Sequence, residues 1–154
     1  MSGGKVKRIL DNETDQDAVV DVYNLLFRAF EENPDGLSLP ERTIYYVEEL
    51  DNGLNMGSLK QFFLDPSGGH AHEIISALRD INSVRVLQIL ESAVAQYPDG
   101  HVPKDANARR AITQQIEGKA SPVWESLDNE FGEYEEDIYA LQTEYMRKNI
   151  AAFR

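Results

Sequence analysis

Ser58-Leu59-Lys60-Gln61-Phe62-Phe63-Leu64 is short and mostly apolar, and by composition it fits a buried strand as well as a helix. Its neighbours decide for helix. After Asp65-Pro66-Ser67-Gly68-Gly69, the residues Ala71, Ile74, Ile75 and Leu78 recur at steps that keep them on one helix face. Beyond Asn82-Ser83, Val86, Leu87, Leu90, Val94 and Tyr97 do the same. Upstream, between Asp15 and Glu32, Val19, Val22, Leu26, Phe27 and Phe30 form a similar stripe, with Asp17, Asp21 and Glu31 lying elsewhere on the helix. No stretch alternates apolar and polar residues as a half-buried strand does.

Punctuation separates these stripes. Asn33-Pro34-Asp35-Gly36 ends the Asp15–Glu32 helix with turn chemistry. The next helix starts at Ser38-Leu39-Pro40-Glu41, where Ser38 caps, Pro40 suits the first turn and Glu41 completes a capping box; Asp51-Asn52-Gly53 is expected to close it. Pro98-Asp99-Gly100 stops another helix. A weaker one runs from Asp105 to Glu117 and ends at Gly118, and Ser121-Pro122 opens a further one from Val123 to Phe131. The last is expected from Glu133 to Phe153, carrying Ile138, Leu141, Tyr145, Ile150 and Phe153. The reading is all-α: a single compact domain of about seven or eight helices over residues 11–154, preceded by a basic, flexible N-terminus at residues 1–10. A chain of 154 residues buries about two-thirds of its unfolded surface and needs no staple.

Charge narrows the partners. The formal net charge is −12. Residues 1–10 carry +3, residues 11–51 carry −10, residues 52–119 balance and residues 120–154 carry −5. Such a chain is unsuited to bind DNA, RNA or anionic lipid directly and suits a basic partner. The absence of cysteine excludes disulfides, thiolate metal sites and cysteine nucleophiles, and fits a reducing, cytoplasmic location. No signal peptide is expected, and no apolar run approaches the ~18 residues of a membrane span.

Catalytic motifs are absent. No nucleophile elbow, phosphate loop or dinucleotide fingerprint occurs. His70, His72 and Glu73 cluster at a helix start, but residues two apart point to different faces, so a metal or catalytic role is not expected of them; capping or exposed positions are. His101 has no sequence neighbour to activate it. Ser67-Gly68-Gly69 fits either an anion-binding turn or a tight interhelical turn. Trp124, Phe131, Tyr134, Tyr139 and Tyr145 read as core. No catalytic residue, metal or cofactor is assigned. Glu130, Glu133, Glu135, Glu136 and Asp137 form the densest acidic run. On one continuous helix they would give a charge every ~2.4 Å of axis, near the ~1.7 Å of duplex DNA. The simpler account places them in the first turn of the last helix, where the macrodipole favours acids.

The middle of the chain adds a resemblance. Leu54-Asn55-Met56-Gly57-Ser58-Leu59-Lys60-Gln61-Phe62-Phe63, then Ser67-Gly68, Ala71, Glu73 and Ala77-Leu78, resembles a bacterial domain-of-unknown-function family that includes a DNA-mimic protein. The similarity continues through Tyr97-Pro98, Val102-Pro103, Asp105, Arg109, Leu127-Asp128, Phe131, Asp137, Tyr139, Leu141, Tyr145 and Phe153, and covers about residues 40–154. Met56, Ser58 and Leu59 depart from the family's Asn, Gly and Phe. These motif residues look architectural: Asn and Gly shape a turn, Gln61 is suited to tie it to a neighbouring backbone, and the aromatics enter the core.

The resemblance implies an all-helical homodimer without enzymatic activity, whose surface carboxylates stand in for DNA phosphates on a transcription factor's DNA-binding face. The partner-binding residues expected here are Glu130, Glu133, Glu135, Glu136 and Asp137, joined by Glu31, Glu32, Asp35, Glu48, Glu49 and Asp51 if the two acidic ends meet in space. An adaptor, immunity or antitoxin-like protein working through an apolar surface is the alternative. A hydrolase or metal-dependent enzyme around His70, His72 and Glu73 comes third.

Overall fold

The structure is a computed structural model and describes residues 2–134 and 136–153. Among the described residues eight α-helices follow the apolar stripes: α1 Ser2–Asn12, α2 Asp15–Glu32, α3 Leu39–Met56, α4 Leu59–Leu64, α5 Ala71–Asp80, α6 Val84–Val94, α7 Ala106–Glu133 and α8 Ile138–Lys148, with short 3-10 turns between α2 and α3, α4 and α5, and α6 and α7. No strand occurs among the described residues. Thr14 caps α2 by accepting from the Asp17 N–H, and Ser38 and Glu41 form the reciprocal capping box of α3.

Helix α3 divides the interior. Ile44 and Tyr45 pack with Val19, Val22 and Leu26 of α2, Met146 of α8 and Phe153. Val47, Leu50 and Leu54 pack into a second cluster built from α4, α5, α6 and α7. At its centre Phe63 meets Tyr97 and Trp124 with ring centroids 5.0 and 5.3 Å away. The Trp124 indole N–H donates to the Ala93 carbonyl at 3.1 Å, so its one polar atom is satisfied inside the core.

Three expectations need correction. The first concerns the N-terminus expected to be flexible at residues 1–10: Met1 lies outside the described residues, and residues 2–10 lie in α1, where Val6 and Leu10 are buried against α2 and α8. Arg147 holds the end of α1 by donating to the Leu10 carbonyl at 2.7 Å and pairing with Asp11 at 3.2 Å. The spacing of Val6 and Leu10, four apart, was available in the sequence but is too short a pattern to outweigh the charges around it.

The second is that α3 does not stop at Asp51-Asn52-Gly53. It continues to Met56, because Leu54 enters the core and Phe62 lies against Gly53. The third is that Gly118 and Pro122 do not split α7. Pro122 removes the N–H that would bond the Gly118 carbonyl, but both residues are exposed, so water can take that carbonyl. The buried face, Ala120, Trp124, Leu127 and Phe131, runs through without interruption.

Glycine is required at Gly68. A β-carbon there would fall 2.6 Å from the Phe63 carbonyl oxygen and 2.7 Å from that of Phe62. The Pro66–His70 turn is therefore a close-packing device between α4 and α5, and the interhelical reading of Ser67-Gly68-Gly69 holds. Gln61 ties this region through a side chain, donating to the Asp65 carboxylate at 2.8 Å and not to a neighbouring backbone.

Candidate partner-binding surface

The acids fall into two groups at opposite ends of α3. Glu31 and Glu32 close α2, and Asp35 sits in the turn after it; all three are exposed. Asp35 shares a groove with Leu39 at the start of α3. Near the other end of α3, Asp51 accepts from the Tyr139 hydroxyl at 3.0 Å, and the Leu59 N–H donates to Asp128 at 2.9 Å. The helix between Leu39 and Asp51 is about 18 Å long. The acidic ends therefore do not merge into one continuous patch.

Glu130, Glu133, Glu136 and Asp137 do not share a helix. Glu130 and Glu133 end α7, and Asp137 caps α8 by accepting from the Tyr139 and Ala140 N–H groups at 3.1 and 3.0 Å. Glu136 accepts from the Ser83 hydroxyl at 2.6 Å and the Arg85 N–H at 3.4 Å, and Glu130 pairs with Arg85 at 3.2 Å. Glu135 lies outside the described residues. The helical charge spacing expected for this run, and the first-turn placement of Glu133 and Glu136, are both overturned by the break between α7 and α8. Two of these acids stitch that connection to the start of α6. Glu133 is exposed.

Glu48 and Asp51 leave the candidate surface altogether. They are 2 % and 4 % exposed, because they lie on the same face as Ile44, Val47 and Leu54, at helical steps along the apolar stripe. The Gln142 amide donates to Glu48 at 3.2 Å, and its own carbonyl oxygen is buried without a partner. Burial, with Asp51 beside it, raises the Glu48 carboxyl to about 7; burial also raises Asp51, against the pull of Tyr139 and Asn55. Glu49 is half-buried and accepts from the Tyr23 and Tyr45 hydroxyls at 3.0 and 2.8 Å. Burial and these carboxylates push both phenols well above the usual tyrosine range, and Tyr134 up to about 12. Glu48-Glu49 is therefore not a solvated pair.

A third acidic line was not singled out in the sequence. A hydrogen bond shared with Asp21, and after it desolvation, push the Glu13 carboxyl up, and the charges of Asp21 and Asp17 add repulsion. The four-residue spacing of Asp17 and Asp21 on α2, with Glu13 just before its cap, is the signal that could have found it.

The histidines are structural. His70 is half-buried against the rings of Tyr46 and Phe30, 5.2 and 6.1 Å away between centroids. His72 Nε2 accepts the Val102 N–H at 3.0 Å, and its ring stacks on His101 at 5.5 Å. Glu73 pairs with Lys104, which also donates to the Gly69 carbonyl at 3.2 Å. Among the described residues no group of three or more His, Asp or Glu could hold a metal ion.

His72 can accept from Val102 only while Nε2 is unprotonated. Burial foremost, then His101 and Lys104, hold its pKa below the ordinary 6.5 against the opposing charge of Glu73. The stabilisation is thus fully present above pH 6.5 and lost as the pH falls through the folded-state value. His72→Phe is expected to be less stable than wild type at pH 7, with the gap closing toward pH 5. Urea denaturation at both pH values checks this, and parallel curves would contradict it.

With the fold and its charges in view, relatives can be compared. The model of the DMP19-like protein family matches residues 35–149. The chain belongs to that family. No curated protein and no solved structure matches it significantly. The matched span runs from Asp35 through α3 and past the end of α8, so it includes Asp35, the acids between α7 and α8 and the motif that packs α4, and leaves out Glu31 and Glu32. The structure assigns that motif an architectural part: Leu59, Phe62 and Phe63 are fully buried, Ser58 caps α4, and Met56, at 90 % exposure, lies on the surface. Among the described residues no helix is long and apolar enough to cross a membrane.

Proposed function

We propose that this protein is a non-enzymatic, cytoplasmic, dimeric interaction protein that binds the basic DNA-binding surface of a regulator and competes with DNA. The family match over residues 35–149 is the observation that carries the reading, since DNA mimicry gives that family its name. The exposed carboxylates support it. Glu31, Glu32 and Asp35 make no ion pair among the described residues, and Glu133 is free of the tethers that hold Glu130, Glu136 and Asp137. Unneutralised surface carboxylates raise the encounter rate with a cationic partner and make affinity fall steeply with salt. The separation along α3 gives two contact points on one partner, in place of a single phosphate-like row. Glu130, Glu136 and Asp137 contribute field there, and Glu135 adds its charge by sequence.

The test is a pull-down of DNA-binding proteins from native cytosol across a salt series, followed by competition with duplex DNA. Reversing Glu31, Glu32, Asp35 and Glu133 to Lys is expected to weaken the captured partner at least tenfold and to flatten the salt dependence. A partner whose affinity ignores both salt and the reversal would refute the reading.

A further inference from the structure

One surface feature exceeds what bare charge needs. Between α3 and α5 runs a groove of about 350 Å3. On the α3 side it is lined by Leu39, Arg42, Thr43 and Tyr46, and on the α5 side by Glu73, Ser76, Ala77 and Asp80. Each set is spaced i, i+3, i+4, i+7 along one helix face; Thr43 and Ala77, buried where α3 and α5 pack together, form the floor, and the other residues form the walls and mouth. The Tyr46 ring lies against His70 at the start of α5, so the two helices run antiparallel and Leu39 faces the end that carries Asp80. Phe30 closes the groove from α2.

The floor and rim differ in character. Leu39 is 61 % exposed, a large apolar side chain left in water at the mouth. Beside it stand Asp35 and Asp80, with Glu31 and Glu32 on the adjoining turn of α2. Glu73 is already neutralised by Lys104. Arg42 makes no ion pair among the described residues, which leaves its donors for a backbone carbonyl of an occupant. Phosphate mimicry has no use for an apolar trough, whereas a trough with an acidic mouth fits an amphipathic helix that carries Lys or Arg next to its apolar face.

We propose that the groove between α3 and α5 docks a short amphipathic helix of a partner protein, two turns or more, with its apolar residues against Leu39, Tyr46 and Phe30 and its Lys or Arg residues against Asp35 and Asp80. This rests on the reading of the protein as a binder of basic proteins and names how one such segment is held. The seven-residue stripes span about 10 Å, two turns of the incoming helix. The acidic mouth selects for basic flanks, and the trough selects among basic segments for those with an apolar face, a discrimination that charge alone does not give.

The probe is a capped, alanine-based 16-residue helical peptide bearing leucines at i, i+4 and i+7 and lysines flanking them. Its control replaces the leucines with serine at equal charge. Peptide binding is followed by fluorescence anisotropy and by amide chemical shifts of the full-length protein. The leucine peptide is expected to bind at least tenfold more tightly than the control, with shifts at Leu39, Tyr46 and Phe30. Leu39→Glu and Asp80→Lys, both at exposed positions, are each expected to weaken it at least tenfold while circular dichroism stays unchanged. Equal binding of both peptides, or shifts confined to Glu130–Asp137, would overturn the groove and leave the electrostatic reading standing. Salt-insensitive binding, or none by either peptide, would overturn both. If Leu39→Glu instead converts a dimer to a monomer in sedimentation, the groove holds a second copy of this chain and the proposal fails.

Discussion

Replacing Arg109 with Met is expected to destabilise the protein by about 4 kcal/mol or more, through the buried acceptors it leaves unpaired, and to lower the melting temperature by roughly 10–15 °C. Arg109 is 2 % exposed and has no carboxylate in ion-pair contact among the described residues. The hydrogen bonds of its guanidinium all go to backbone carbonyls. Nε donates to Phe63 at 2.6 Å, Nη1 to Pro103 and Lys104 at 3.1 and 3.0 Å, and Nη2 to Asp65 at 3.1 Å. One planar fork thereby ties the end of α4 to the loop before α7, and the carbonyls at the end of α4 favour a cation there. Arg109→Lys tests the geometry separately from the charge. A single ammonium cannot reach four carbonyls spread across the fork, so more than half of the loss is expected to persist. Urea denaturation of both variants checks this. Full stability in Arg109→Lys would show that the charge matters and the fork does not.

Glu48→Gln should move stability the other way. A carboxyl raised from 4.5 to about 7 in the folded state holds its proton more tightly when folded, so ionisation destabilises the fold. The penalty is absent below about pH 4.5, grows as the pH rises, and is complete above about pH 7, where it amounts to roughly 3 kcal/mol. The Gln variant carries no such charge. Its amide can also donate to the buried Gln142 carbonyl oxygen that lacks a partner. The variant is therefore expected to be more stable than wild type by up to about 3 kcal/mol at pH 8, or roughly 6–12 °C in melting temperature, and to match it near pH 4.5. With the Glu48 contribution removed, acidification from pH 7 to pH 5 is expected to lower stability more steeply than in wild type, because the His72 contribution acts with opposite sign. A variant no more stable than wild type at pH 8 would mean that the Glu48 carboxylate is not costly in the fold.

These two residues also show how far the sequence could be read. The helical class was legible because the stripes around Ser58–Leu64 repeat over many turns, and the Ser38–Glu41 capping box and the Pro98-Asp99-Gly100 stop were legible from local chemistry; in the latter, Asp99 and Gly100 adopt positive φ. Arg109 stood in the sequence only as one position of a family resemblance. Its part depends on carbonyls of Phe63 and Asp65, which are far away in the chain. Glu48 reads as a surface acid because adjacent carboxylates usually face water, and Asp51 because it opens an expected turn, although their register with Ile44 and Val47 points inward. Registers can conflict with residue type, and here tertiary burial followed the register.

Sequence alone determined the helical class, the matched family and the total charge, because periodicity, local caps and composition are properties of neighbouring residues. Tertiary structure decided where each charge lies. It took Glu48 and Asp51 into the core, used Glu130 and Glu136 to join helices and Asp137 to cap one, continued α3 and α7 through their glycines and proline, and set the acidic ends at opposite ends of α3. The physical reason is that the cost or benefit of a carboxylate depends on the solvent and donors around it, and those come from segments far apart in the chain.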